Sequence, residues 1–137
     1  LRLDITGMAI SDLDELEDWI NILKTSNTPI LVEGKKDRAA LASLGIADAN
    51  IITIGGPLYQ VVEQIVSKTR KIIILTDLDP EGKKLYSRLK ADLSQFGVEV
   101  DDKFREFLFR KTKLRQIEGL STYIEKLTNR ESPKDRM

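Results

Sequence analysis

Two short stretches carry the residues best suited to chemistry. In Pro29-Ile30-Leu31-Val32-Glu33-Gly34-Lys35-Lys36-Asp37 an apolar run ends abruptly in a carboxylate and a glycine. In Ile72-Ile73-Ile74-Leu75-Thr76-Asp77-Leu78-Asp79-Pro80-Glu81-Gly82 a second apolar run ends in two carboxylates, then a proline turn and another glycine. Apolar runs of this length, rich in Ile and Val, read as strands buried on both faces. Each is followed by a helical pattern, so the strands are expected to be parallel with crossover helices. Ligands of such sheets sit beyond the carboxyl ends of the strands, where the strand order reverses. Glu33, Asp77 and Asp79 are therefore delivered to one edge. Three carboxylates there repel one another unless a cation lies between them, and hard oxygen donors suited to phosphate chemistry suggest magnesium, or manganese in its place. Glu33 would serve as a metal ligand or as the general acid/base of phosphoryl transfer. Asp77 and Asp79 would hold the ion, with Glu81 completing the shell. Asp79 would also act as a helix N-cap before Pro80. Lys35, Lys36, Lys83 and Lys84 flank the acidic site and would hold phosphates beside it. Lysines in first helical turns work against the helix dipole, which sets them apart from ordinary surface residues.

The composition narrows the chemistry further. The chain of 137 residues has neither cysteine nor histidine. Disulfides, structural zinc, thiol nucleophiles and imidazole catalysis are excluded. No run is apolar enough to span a membrane and no signal-peptide pattern occurs, so a cytoplasmic protein with no membrane partner is expected. The 22 basic and 22 acidic residues cancel, yet they are unevenly spread. Asp12, Asp14, Glu15, Glu17 and Asp18 crowd the first part, and Lys103, Arg105, Arg110, Lys111, Lys113 and Arg115 crowd a later one. Such polarity can steer a polyanion to one face.

The elements that must position these residues follow from periodicity. Ser11 reads as an N-cap for a helix to about Lys24, with Leu13, Leu16, Ile20 and Leu23 at helical spacing. Residues 1–10 read as an extended lead-in. A helix from Lys35 to Leu44 should stop at Gly45. Ile51 to Ile54 is the second strand, and Pro57 opens a helix striped by Leu58, Val61, Val62, Ile65 and Val66. Lys71 to Thr76 is the third strand. Asp79-Pro80 opens a helix with Leu85, Leu89, Leu93 and Phe96 on its buried face and Gly97 as its stop. Val98 to Val100 is a fourth strand. A helix carrying Phe104, Phe107 and Leu108 follows, and a last one runs from Glu118 to Leu127, with a frayed end beyond. Trp19, Tyr86 and the phenylalanines are expected in the core. Glu33 and Asp77 must come close to share an ion, so their strands should be neighbours, giving the order 2-1-3-4.

The strand ending in Glu33-Gly34, followed at fitting separation by the strand ending in Asp77-x-Asp79, resembles the Toprim domain of topoisomerases, bacterial-type primases and small maturation nucleases. Val32 to Asp37 is similar to the opening of the nuclease that matures 5S ribosomal RNA. Gln116-Ile117-Glu118-Gly119-Leu120-Ser121 is loosely similar to a later motif of that group. The chain most resembles small stand-alone archaeal Toprim proteins. The resemblance implies a Toprim-like, Rossmann-like α/β fold: a three-layer α/β/α arrangement around a parallel sheet of about four strands. Residues 1–27 would be a helical extension, 28–100 the Toprim core and 101–137 a helical region packed on it. It further implies magnesium-dependent phosphodiester chemistry on nucleic acid, RNA in preference to DNA, with Lys35, Lys36, Lys83, Lys84, Arg110, Lys111, Lys113 and Arg115 contacting phosphates. The rival reading is a non-catalytic nucleic-acid-binding module within a protein complex or homodimer. A receiver-type domain would place its acidic pair after the first strand, whereas here the pair follows the third.

Overall fold

The computed structural model describes residues 11–131; the lead-in expected at residues 1–10 and the end of the chain beyond 131 lie outside them. Ser11 opens the first helix, α1 (Asp12–Thr25), its hydroxyl accepting the backbone N–H of Asp14 at 3.1 Å. Three acidic residues in the first turn complement the helix dipole. Strand β1 (Ile30–Val32) leads into α2 (Lys35–Ser43), and β2 (Ile51–Thr53) into α3 (Leu58–Lys68). Strand β3 (Lys71–Ile74) leads into α4 (Pro80–Gln95), and β4 (Glu99–Asp101) into α5 (Lys103–Lys111). A 3-10 turn (Ile117–Gly119) then feeds α6 (Leu120–Glu131). The strands are shorter than the apolar runs suggest: Leu75 still donates its N–H to the Leu31 carbonyl of β1 at 2.8 Å, but Thr76 and Leu78 are buried beyond the ladder. Pro57 stands one place before α3 as its N-cap rather than inside it.

All four strands are parallel, in the order β2-β1-β3-β4, as expected from the need to bring Glu33 to Asp77. Alternation along the strands divides the interior in two. Ile30 and Val32 of β1, with Ile73 and Leu75 from β3 and its continuation, join Leu16, Trp19, Leu23, Leu41, Leu108, Leu120 and Leu127 on one face. Leu31, Ile72 and Ile74 join Val61, Val62, Ile65, Leu89 and Leu93 on the other. Helices α1, α2, α5 and α6 thus cover one face, and α3 and α4 cover the second. Each such buried Leu or Ile contributes about 1.5–3 kcal/mol relative to exposure, so neither helical layer is dispensable to the sheet.

Two aromatic expectations need correction. Phe96, placed on the buried face of α4, is 58% exposed, because it occupies the helix C-cap where the chain turns away from the sheet. Phe109 is also exposed, on the outer side of α5. Trp19 is core, as expected: it stacks on Phe107, meets the edge of Phe104, and donates its indole N–H to the Phe104 carbonyl at 3.0 Å.

Candidate functional site

The strand order reverses between β1 and β3, and the crevice beyond their carboxyl ends is where Glu33 and Asp77 meet. The Asp77 backbone N–H donates to Glu33 Oε2 at 2.6 Å, across 44 residues of sequence. The Asp77 carboxylate is held from the other side, its Oδ1 accepting the N–H of Ile117 at 2.9 Å. Asp37 is buried and reaches back one helical turn, its Oδ2 accepting the Gly34 N–H at 3.1 Å. That hydrogen bond is half of a capping box and fixes how α2 leaves β1. Glu33, Gly34, Lys35, Lys36, Asp37, Asp77, Gln116 and Glu118 line one cleft of about 440 Å³.

Burial and crowding set the charge in this cleft. The Glu33 carboxyl titrates above its ordinary range, first because it is desolvated, then because Asp77, Asp37 and Asp79 repel its charge; the Asp77 N–H partly offsets this. Asp77 is raised by desolvation and by Asp79 and Glu118, against the Ile117 N–H. Asp37 is raised by desolvation and by Asp77 and Glu118. Among the described residues no three carboxylates stand together in the geometry of a preformed metal cage. The donor set nevertheless suits a hard divalent ion: all oxygen, half-buried, and destabilised by mutual repulsion that such an ion would relieve. Glu33 and Asp77 would be the residues to hold it.

The other anticipated residues are distributed more widely. Asp79 is the N-cap of α4, its Oδ1 accepting the Gly82 N–H at 2.8 Å. It lines a second cleft, of about 540 Å³, together with Lys113, Arg115, Gln116, Tyr123 and Lys126. Glu81 is exposed in the first turn of α4. Lys35, Lys36, Lys83 and Lys84 are exposed at the starts of α2 and α4. Lys83 lies over the Phe109 ring at 4.6 Å, and Arg115 approaches the same ring at 5.7 Å. Arg110 and Lys111 belong to other surfaces. Arg110 lines a cleft with Trp19 and Phe107, and Lys111 pairs with Glu15 at 3.5 Å.

Three contributors do not stand out in the sequence as site residues. Arg105, one of a run of apparent surface cations, is buried: it donates to the carbonyls of Thr76 and Asp77 at 3.2 and 2.8 Å and stacks on Tyr86 at 4.4 Å. It clamps the backbone from which Asp77 projects. Ile117 supplies a backbone donor that no side-chain pattern announces. Glu118 adds a fourth carboxylate to the cleft, although its segment reads in the sequence only as a loose motif. Gly82 also has a structural reason: a Cβ there would lie 2.0 Å from the Asp77 carbonyl oxygen, so only glycine lets α4 start against the end of β3.

Comparison with known proteins agrees with this fold. The Toprim domain model matches residues 28–106. A UPF0292 protein of Methanocaldococcus jannaschii is 32% identical over 107 residues, spanning 76% of this chain and 84% of that protein. A UPF0292 protein of Pyrococcus horikoshii is 33% identical over 120 residues, spanning 85% and 90%. A protein of Aquifex aeolicus with a solved structure superposes with a TM-score of 0.69 at 38% identity, covering 75% of this chain and 95% of that one.

Proposed function

The chain belongs to the Toprim domain family, a family of nucleic-acid- and metal-binding domains, and from that premise we propose that it is a magnesium- or manganese-dependent enzyme of nucleic-acid phosphodiesters, acting on RNA. The observation that supports this reading best is the pairing of Glu33 with Asp77 at the switch point of the sheet. When bound there, a divalent ion would neutralise phosphate charge and polarise the phosphoryl oxygen. Glu33 and Asp77 would hold it. Glu33 is also the proposed proton carrier. With no histidine or cysteine in the chain, a carboxylate is the group left to exchange a proton with an attacking or departing oxygen. Lys35 and Lys36, beside Glu33, would hold the phosphate that is cut.

The test is incubation of the purified protein with labelled structured RNA and with DNA, in magnesium, manganese or chelator. Metal-dependent cleavage is expected, and Glu33→Gln and Asp77→Asn should each lower its rate by about a hundredfold or more. Both variants should still retain RNA in a gel shift. Cleavage at full rate by Glu33→Gln would refute the mechanism. Binding without cleavage under any of these conditions would leave the family's binding role and remove the enzymatic one.

A further inference from the structure

The segment between α5 and α6 passes the carboxylates under tight restraint. The Leu78 N–H donates to the Arg115 carbonyl at 2.7 Å, and the Ile117 N–H donates to Asp77 Oδ1 at 2.9 Å. Gln116 is therefore pinned on both sides to the chain that leaves β3. Ile117 is buried, whereas Gln116 is exposed. Among the described residues the Gln116 side chain has no hydrogen-bond partner; its backbone carbonyl accepts the Gly119 N–H. Gln116 borders three clefts: the carboxylate cleft, one against α2 with Lys36 and Ser43, and the one at Asp79. A free amide on a backbone fixed beside Glu33 and Asp77 is placed to touch what those carboxylates act on. Cations border the same three clefts. Lys36 lines two of them, and Lys113, Arg115 and Lys126 line the third. Among the described residues none of the four is paired with a carboxylate; Arg115 contacts the Leu114 carbonyl and the Phe109 ring. Asp79 and Glu118 are the acids that line the two clefts beside the carboxylate cleft, and Asp79 is engaged by the Gly82 N–H. Unpaired cations distributed over adjoining clefts suit successive phosphates of a chain better than one isolated phosphate.

Resting on the catalytic reading above, we infer that Gln116 is a substrate contact. Its amide hydrogen-bonds the nucleotide beside the phosphate that is cut, while Lys36, Lys113, Arg115 and Lys126 hold neighbouring phosphates of the same polynucleotide. Gln116, Lys113, Arg115 and Lys126 lie outside the matched Toprim region, so the last third of this chain supplies most of the contact. An amide offers donors and an acceptor but no net charge. It adds affinity without adding to the salt dependence, whereas each cation adds to both. The two contributions are therefore separable in one experiment.

Fluorescence anisotropy of the full chain with labelled structured RNA, in chelator and across a salt titration, tests this. Gln116→Ala should weaken binding about three- to tenfold at every salt concentration, as the loss of a hydrogen bond or two would. The slope of log affinity against log salt should stay that of the parent. Gln116→Glu keeps the shape but faces phosphate with a negative charge, and should bind more weakly still. Lys113→Ala/Arg115→Ala/Lys126→Ala should instead flatten the slope by about 2 to 3, at roughly 0.7–0.9 for each phosphate no longer neutralised. These side chains are exposed, and the bonds from Leu78 and Ile117 use only the backbone of this segment, so circular dichroism should show an intact fold. Lys68→Ala/Arg70→Ala, exposed at the amino end of β3, is the control and should bind as the parent does. Parental affinity in both Gln116 variants, a changed slope in Gln116→Ala, a parental slope in the triple variant, equal losses in the control, or no RNA binding by the parent would each overturn the inference. Cleavage scored with magnesium for the same proteins separates the two readings. Cleavage by the parent with binding indifferent to Gln116 defeats only the contact, and Gln116-dependent binding without cleavage defeats only the enzyme.

Discussion

Glu33, Asp37 and Asp77 each hold their protons more tightly than a free carboxyl does, first through burial and then through one another. The sign of the consequence is fixed. A carboxyl raised in the folded state contributes stability that is fully present below its unfolded value, here 4.5 for Glu and 3.8 for Asp. That contribution is lost as pH rises through the raised folded value. The metal-free protein should therefore melt at progressively lower temperature as pH rises from the unfolded values of 3.8 and 4.5 through the raised folded ones. Magnesium should flatten that slope, since an ion replaces the protons that relieve the repulsion. Glu33→Gln removes one of the three charges but keeps an oxygen to accept the Asp77 N–H. It should raise the metal-free melting temperature at neutral pH and shrink the gain from magnesium. Thermal melts across pH, with and without chelator, decide this. A slope that Glu33→Gln leaves untouched would mean the repulsion lies elsewhere.

At the scale of elements, the junction of β3 with α4 is the critical one, because Asp79 and Gly82 both act there. Asp79 caps α4 by accepting the Gly82 N–H, and Thr76 donates its hydroxyl to the Gly82 carbonyl at 3.0 Å. Asparagine caps as well as aspartate does, so Asp79→Asn should fold at parental stability, whereas Asp79→Ala should lose about 1 kcal/mol in urea melts. Loss of metal-dependent activity by Asp79→Asn at full stability would isolate a role for its charge apart from the cap. Gly82→Ala tests the junction itself. Its methyl would meet the Asp77 carbonyl, a backbone atom that cannot swing aside. The strain should cost about 1–3 kcal/mol or more and displace Asp77 from Glu33. A Gly82→Ala protein with parental stability would show that α4 can slide away from β3.

Across the whole molecule, the site is assembled from parts far apart in sequence. Asp77 is approached by Glu33 from β1, by Arg105 from α5 and by Ile117 from the turn before α6. The helices of the last third of the chain are thus structural partners of the strand ends as well as a cover for one sheet face. Arg105→Met keeps much of the bulk and removes both donors, leaving the Thr76 and Asp77 carbonyls unsatisfied where water reaches poorly. It should cost about 1–3 kcal/mol, while Arg110→Met on the surface should stay within about 0.5 kcal/mol. Equilibrium unfolding of the two variants gives the comparison. Equal, small effects would mean that the end of β3 is held without its clamp.

The sequence by itself determined the strands, their order and the meeting of Glu33 with Asp77. Buried parallel strands are nearly continuous apolar runs, helices stop at glycines such as Gly45 and Gly97, and a carboxylate directly after each run can only emerge at the sheet's carboxyl edge. The strands, the helix stops and the strand-end carboxylates are local signals that pattern alone reveals; the order followed from requiring Glu33 and Asp77 to share one ion. What the tertiary structure alone decided is which charges share a surface. Arg105, Arg110, Lys111, Lys113 and Arg115 form one basic run in the sequence. In the fold Arg105 is buried under Asp77, Arg110 and Lys111 go to other surfaces, and Lys113 and Arg115 line the cleft at Asp79, where Lys126 joins them. A helix turns successive residues to different sides, and which side meets the sheet depends on packing partners distant in the chain. The Ile117 N–H and Glu118 were hidden for the same reason: a backbone donor has no residue signature, and a single glutamate becomes a site residue only when a turn from the far end of the chain is laid against the strand ends.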